Sequence, residues 1–450
     1  MPPTKFWHFN FFKINGQNFA LNCYLPMRLS QTIAAVWIAL AFAIPAFSQP
    51  TDTEVRIFNS NVRSLKIAPV DNAYGVPIIK LNSDEQLNVN FDVLTYDAHY
   101  LRYSIRHCNA DWQPSQLLEH EYVSGFNQAD ITDFIQSEGT MAHYFHYDFT
   151  FPNEEMQILK SGNYLLSVYE QDDPETVLFQ TRFSVCEQMV DVAVGITTRT
   201  DVDYNDAHQQ VSIELVHKQG AIRNPYEELT AVVSQNSRTD NAVTITRPMM
   251  VAGNHVVYDH NPALIFNAGN EYRRMETVNV NSLNMNVGKI DFFEPYYHAS
   301  VNVDQPRAQS QYLYDQTQFG RFTIRNAEAP TGSDYQADYI VTHFTLEPSE
   351  LLPKGKIYLQ GEFTQGLPPS ATLMHYDVQS GTYTCNMLLK QGHYNYQYLF
   401  VPDGGTVGLT SAIEGDKYQT INEYVVKIYY HPMGERYDRF IGYATAYSGR

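Results

Sequence analysis

The sequence predicts an all-β protein built of tandem antiparallel β-sandwich domains. Apolar and polar residues alternate along many short segments, which is the period of a half-buried strand. Tyrosine is abundant, with 33 Tyr against 3 Trp, and aromatic residues favour pleated, half-buried surfaces. A chain of 450 residues is also longer than one hydrophobic core usually organises, so several domains are expected.

The N-terminal residues have the pattern of an export signal. Met27-Arg28-Leu29 supplies a short positive segment, residues 33–44 are apolar, and Ala46-Phe47-Ser48 is a small-x-small cleavage site. The apolar run of about a dozen residues is too short to span a bilayer. We predict an over-extended start over 1–26, with an unusually long n-region as the alternative, and a signal peptide over 27–48.

Export would leave a strongly acidic chain. Residues 1–48 contain three cations and no carboxylate, so their removal changes the formal charge from −19 to −22. Such a surface repels nucleic acid and anionic headgroups, and we expect neither as a partner. No apolar stretch after the signal approaches the roughly 18 residues of a membrane-spanning helix, so no membrane span is expected.

Three cysteines remain in the exported part, namely Cys108, Cys186 and Cys385. Export permits disulfides, but an odd number leaves at least one thiol unpaired within a monomer. Two interpretations stay open: Cys108 pairs with Cys186, or all three residues act as small buried hydrophobes.

A first domain is predicted over 49–188. Residues 87–93 alternate strictly, and a turn at 96–99 leads into a strand over 100–108, which together predict a hairpin. The pattern then lapses between Cys108 and Phe145 into a long excursion with short helical turns. Loops of this length in a compact domain are usually functional or packed on themselves. The other strands are expected at 145–151, 164–170 and 177–185.

A second β domain is predicted over 189–347 and a third over 348–450. Residues 393–401 of the third domain place Tyr394, Tyr396 and Tyr398 on one face, and this alternation predicts that only one face lies in a core. The remaining strands are expected at 190–196, 211–215, 229–234, 242–247, 255–259, 272–280, 319–324, 335–346, 356–363, 371–376, 383–389 and 423–430.

Motifs for catalysis and metal binding are weak or absent in the sequence. Residues 201–206 begin like a calcium loop but have Asp206 where the loop needs Gly, so a solvated turn is the better interpretation. His143 and His146 would point to opposite faces of a strand. No nucleophile elbow, zinc helix or phosphate loop occurs. We therefore predict no enzymatic activity, no metal, no cofactor and no small-molecule ligand.

Three stretches carry a resemblance to a known family. They are YSIRHCNADWQPSQLLEHEYVSGF at 103–126, HYDFTFP at 146–152 and GNYLLSVY at 162–169. They resemble the N-terminal domain of the type IX secretion plug family of Bacteroidetes. Within it, the candidate residues for docking or for fixing the long loop are His107, Cys108, Asp111, Trp112, Tyr122, Gly125 and Phe126. Trp112 is either an anchor for a protein partner or packs against its own domain.

The third domain resembles an early-set immunoglobulin-like module through residues 357–363 and 389–398. Glycan-binding relatives carry Trp after the corresponding turn, but residues 346–450 contain none. The plug resemblance implies a non-catalytic periplasmic protein at the outer membrane, which docks on the translocon barrel and closes its periplasmic opening. The alternative is a glycan-binding or glycosidase-accessory β-sandwich protein, and a third hypothesis is a secreted surface adhesin.

Overall fold

The computed structural model describes residues 53–282, 284–348, 352 and 354–449. The predicted extension over 1–26 and the signal peptide over 27–48 lie outside these residues. The regular structure of the described residues is mostly β-strand, in several antiparallel sheets, which confirms the predicted fold class. None of its helices is long and apolar enough to cross a membrane. They are the single turns Glu119–Tyr122, Pro225–Glu228, Ser333–Gln336 and Pro369–Thr372, with 3-10 turns at Pro262–Leu264 and Glu362–Thr364.

The first sandwich packs two sheets around one apolar core. The alternating residues Leu87, Val89, Phe91 and Val93 all point into this core and are buried, as their period of two requires. One sheet has the order Arg56–Ile57, Asp173–Cys186, Gly162–Glu170, Leu101–Cys108 and Ala129–Ile131, with Ile78–Lys80 parallel to Asp173–Cys186. The other has the order Val62–Pro69, Leu87–Val93, Phe145–Phe151 and Phe134–Gln136, and a separate pair joins Met156–Ile158 to Val123–Gly125.

The predicted hairpin over 87–108 is wrong. Leu87–Val93 pairs with strands of one sheet of the first sandwich, whereas Leu101–Cys108 belongs to the other sheet. The turn at 96–99 therefore crosses between sheets. Both strands carry an apolar face, and the crossing lets the two faces meet in the same core.

A second sandwich combines the middle of the chain with its C-terminal strands. One core contains buried side chains from 190–266 and from 424–441. Its first sheet has the order Val190–Thr197, His208–His217, His255–Tyr258 and Met250–Ala252, with Ile265–Asn267 beside His208–His217. Its second sheet has the order Val243–Ile245, Leu229–Gln235, Glu423–Tyr430 and Arg439–Tyr447.

The third sandwich lies between these segments in sequence, and its core draws on residues 275–413. One sheet has the order Arg273–Glu276, Gly392–Pro402 and Phe322–Ile324, with Gly355–Gln360 also on Gly392–Pro402. The other has the order Val287–Phe293, Tyr296–Val301, Tyr339–Leu346, Thr382–Lys390 and His375–Asp377. In both the second and the third sandwich, strands that precede the predicted boundary between 347 and 348 thus pair with strands that follow it. The division at that boundary stays a prediction.

The strand Gly392–Pro402 is covered on both faces, which corrects the prediction of a single buried face. Asn395 and Gln397, on the polar face, are 2% and 3% exposed. Gln397 Nε2 donates to Gln360 Oε1 at 2.7 Å, and Asn395 Oδ1 accepts from Gln318 N at 2.6 Å. The polar alternation therefore marks a second, hydrogen-bonded interior rather than a solvated surface, because buried amides need partners.

Candidate functional site

The seven candidate residues of the first domain do not form one site. Three of them, His107, Cys108 and Tyr122, are buried inside or beside the first sandwich. Asp111 and Trp112 line a cavity, and Gly125 and Phe126 lie on a separate surface loop.

His107 is an interior residue held by one hydrogen bond. Its Nε2 lies 2.9 Å from the Ser161 carbonyl oxygen and donates to it, whereas Nδ1 has no partner. The ring makes an edge contact with Tyr164 and a tilted one with Tyr122. Burial lowers the pKa of His107 to about 4, so the imidazole is neutral at physiological pH and fixes the packing of its neighbours.

The cysteines are buried free thiols, which agrees with the second of the two interpretations. Burial raises the pKa of Cys108 to about 11, of Cys186 to about 12 and of Cys385 to about 11. Because the thiolate is the reactive form, these side chains act as small hydrophobes.

The loop that carries Phe126 is fixed on both sides. Gly125 ends the strand Val123–Gly125 with φ at +96°, and a Cβ built there would overlap the Glu155 carbonyl oxygen. Asn127 follows, and its side chain accepts from Ile105 N at 3.0 Å and donates to Ile105 O at 2.8 Å. Phe126 between them is 84% exposed. The loop therefore displays an aromatic ring from a defined backbone position.

The loop that carries Trp112 is also clamped. Trp112 N donates to Asn109 O at 2.9 Å, and Asp111 Oδ1 accepts from Gln113 N at 3.0 Å. Asp438, near the C-terminus, accepts from Ala110 N at 2.9 Å. Trp112 itself has φ at +66°, a left-handed conformation that is unusual for a bulky residue and costs free energy.

The ring of Trp112 lies beside two cations and faces a cavity. The guanidinium carbon of Arg182 is 4.3 Å from the ring centroid, and Lys427 Nζ is 5.7 Å from it. The half-buried Trp112 thus contacts its own domain, as one sequence interpretation held, and also the C-terminal strand Glu423–Tyr430. Sequence reasoning found Trp112 but missed both cations, because no local pattern connects residues so distant in the chain.

A buried polar cluster around Asp92 also escaped the sequence analysis. His146 Nδ1 lies 2.7 Å from Asp92 Oδ1, and Tyr339 donates its hydroxyl to Asp92 Oδ2 at 2.6 Å. Lys390 reaches the same oxygen. Burial alone would raise the pKa of Asp92, but Lys390 and His146 outweigh it and lower that pKa. His143, by contrast, packs its ring against Tyr96.

The carboxylates of the acidic turn at 201–206 already form hydrogen bonds with other side chains of the protein. Asp201 accepts from His260 Nδ1 at 2.9 Å, and Asp203 Oδ2 is 2.7 Å from His208 Nδ1. Over the residues that the structure describes, no group of three or more His, Cys, Asp or Glu side chains is placed to hold a metal ion.

Comparisons with known proteins agree with this architecture. The family model described as "Type 9 secretion system plug protein 1st domain" matches residues 62–187, a range that contains all seven candidate residues. A crystal structure of a hypothetical protein from Parabacteroides merdae ATCC 43184 is 41% identical in sequence, with a TM-score of 0.86. The alignment covers 88% of this chain and 99% of that one. No curated protein matches. Through its residues 62–187, the chain therefore carries the first domain of the type IX secretion system plug protein family.

Proposed function

We propose that this protein is a periplasmic plug, which docks on the outer-membrane translocon barrel of the type IX secretion system and closes its periplasmic opening. Its action is steric occlusion, with no bond chemistry. The observation that carries the proposal is the display of Phe126. It is the large aromatic residue that the family-matching domain exposes most, and it stands on a loop fixed by Gly125 and Asn127.

A fixed, exposed aromatic ring suits protein docking. Aromatic side chains are enriched at the centres of protein interfaces, and a preorganised loop loses little conformational entropy when it binds. An exposed Phe on a mobile loop would contribute less to the binding free energy, because the loop would lose more conformational entropy on binding. The contacts on either side of Phe126 therefore support a role in recognition rather than in packing.

Occlusion also requires a body that does not deform. The described residues belong to one compact unit, and the buried pair of Asp92 and Lys390 links the first sandwich to the third. The strand Glu423–Tyr430 adds a tie between the first and second sandwiches, because Tyr429 donates its hydroxyl to Asn163 Oδ1 at 2.8 Å. These links join the three sandwiches into one body, which suits a role in blocking the translocon opening.

The glycan-binding alternative gains no comparable support. Phe363, which directly precedes the turn after which relatives carry a sugar platform, is partly buried and packs edge-on against Tyr394, with the ring centroids 5.3 Å apart. A ring used in that way does not offer a free face for a sugar.

Affinity purification from native membranes tests the proposal. A tagged copy should recover the translocon barrel, and Phe126→Ser should reduce that recovery at least about tenfold, as for a hot-spot aromatic. Tyr204→Ser is the matched control, because Tyr204 is 64% exposed but lies outside the family-matching domain. Recovery of no outer-membrane partner by the unchanged protein would refute the docking role. Equal recovery with Phe126→Ser and Tyr204→Ser would remove Phe126 from the interface.

A further inference from the structure

A cavity of about 490 Å³ lies where the three sandwiches meet. Its walls combine apolar residues such as Val76 and Val232 with the polar side chains of Ser234 and Asn236. This volume falls in the range of small-molecule sites, which are typically lined by apolar groups with a few placed polar ones.

The cavity is rich in cations although the protein is acidic overall. Two of these cations form ion pairs with carboxylates. Arg238 pairs with Asp240 and Arg321 pairs with Glu423, each at 2.7 Å. Glu362 also lines the cavity; burial raises its pKa, while Lys66 and Arg321 act in the opposite direction. Asp240, Glu423 and Glu362 thus each interact with a cation other than Lys427.

Lys427 lacks such a partner. Its Nζ donates to Ser184 Oγ at 3.0 Å, and among the described residues no carboxylate oxygen lies within 4.0 Å of it. Burial and the nearby Arg182 lower its pKa to about 8, so the ammonium is still charged at neutral pH. Lys427 is half-buried, and a charge partly removed from water without a counter-charge is costly. An anion in the cavity would lower that cost.

Trp112 supplies an independent observation at the same place. Its left-handed backbone conformation is clamped by Asn109 and Asp438, and its ring lies against Arg182 and Lys427. Strained residues persist where the surrounding structure holds them, and they concentrate at ligand-binding sites. The strain is explained if the ring must be held against a ligand.

We propose that this cavity binds a small organic anion, whose carboxylate or phosphate lies against Lys427 and Arg182 and whose body packs on Trp112. Ser184 orients the ammonium, and the apolar walls accept an uncharged body. The site goes beyond plug function and does not depend on it. It also departs from the expectation, drawn from sequence motifs alone, that the protein has no small-molecule ligand.

Binding can be measured with simple probes. The full chain carrying Trp7→Phe and Trp37→Phe has Trp112 as its only indole, so its fluorescence reports on the cavity. Benzoate, phenyl phosphate, acetate and inorganic phosphate would be titrated at constant ionic strength, with benzyl alcohol as the uncharged probe. We expect saturable changes with benzoate or phenyl phosphate, confirmed by calorimetry. Comparison of these two distinguishes a carboxylate ligand from a phosphate ligand, and benzyl alcohol should have no effect.

Variants assign the binding to Lys427. Lys427→Gln should weaken the binding at least about tenfold, because a charge-assisted contact is lost, whereas Lys427→Arg should retain it. Lys218→Gln is the control for an exposed lysine outside the cavity. If Lys427→Gln fails to fold, Arg182→Gln gives the same test, with thermal unfolding as the check on folding. The proposal is overturned if no anion gives a saturable response or if the Gln variants bind as the unchanged protein does.

Discussion

Lys390 Nζ lies 2.5 Å from Asp92 Oδ2, although the two residues are 298 positions apart in the chain. Both side chains are inaccessible to solvent, at 1% and 0% exposure. Asp92 belongs to the first sandwich and Lys390 to the third, so the pair joins two bodies that fold around separate cores. His146 and Tyr339 complete the hydrogen bonds of the carboxylate, which is what a buried charge needs to be tolerated.

Removal of one partner from this pair should be strongly destabilising. Lys390→Met leaves the Asp92 carboxylate buried without its main counter-charge, and we expect a loss of about 3–5 kcal/mol in the free energy of unfolding. Urea denaturation measures the loss. Lys80→Met breaks an ion pair with Glu85 that is half exposed and should have little effect. The double variant Asp92→Asn with Lys390→Met should recover part of the stability. Similar losses for Lys390→Met and Lys80→Met would contradict the role of the buried pair.

The buried imidazole of His107 makes stability depend on pH. Its pKa is about 4 in the folded protein and about 6.5 in an unfolded chain, so below pH 6.5 the unfolded state binds the proton first. The contribution of neutral His107 to the free energy of unfolding is therefore complete above about pH 6.5. It declines as the pH falls towards 4, by about 3 kcal/mol in all. Urea denaturation from pH 7.5 to 4.5 should show this decline.

His107→Gln is the test of that assignment, since Gln can still donate to the Ser161 carbonyl. Its stability should fall less steeply with acid than that of the unchanged protein, whereas a chain with the exposed His120 changed to Gln should keep the steep decline. Parallel curves for the unchanged protein and His107→Gln would assign the acid sensitivity to other groups.

The three buried cysteines should be unreactive until the protein unfolds. Burial raises the pKa of each thiol well above neutral pH, and the thiolate is the nucleophile. In a chain carrying Cys23→Ser, a thiol reagent at pH 7 should label the native protein slowly, and unfolding without reductant should release three thiols. Release of only one thiol would mean that two of the three cysteines form a disulfide, as in the interpretation that pairs Cys108 with Cys186.

The sequence was sufficient for local structure and insufficient for the arrangement of the strands. Alternation placed most strands correctly, because a half-buried strand has a period of two whatever its partner is. It could not show that Leu229–Gln235 pairs with Glu423–Tyr430, since register between distant strands leaves no local mark. It also assigned the turn at 96–99 to a hairpin, because a hairpin and a crossing between sheets need the same polar residues.

For the candidate site too, the sequence predicted single residues but not their distant partners. The family motif led to Trp112 and Phe126, and the structure gives them different surroundings, one facing a cavity and the other solvent. The partners of Trp112 were invisible because Lys427 lies more than three hundred residues away. Asp92 was hidden by its regular place on the polar side of an alternating strand, where the expected neighbour was water rather than Lys390.

The most informative glycine is Gly125, because its effect on stability can be separated from its effect on docking. Its φ of +96° and the overlap of a Cβ with the Glu155 carbonyl mean that Gly125→Ala must shift the backbone beside Phe126. Gly139→Ala is the matched control, since φ there is +70° but nothing lies within 4 Å of the added Cβ. The control should cost about 1–2 kcal/mol from the left-handed backbone alone, and Gly125→Ala should cost more.

Denaturation midpoints compare the two variants, and recovery of the translocon barrel compares their function. If Phe126 docks from a fixed position, Gly125→Ala should lose recovery at temperatures where it is still folded, while Gly139→Ala should retain it. A Gly125→Ala protein that is folded and recovers the barrel fully would show that the backbone position of Phe126 is not needed. The docking role would then have to reside in other exposed side chains of the first sandwich.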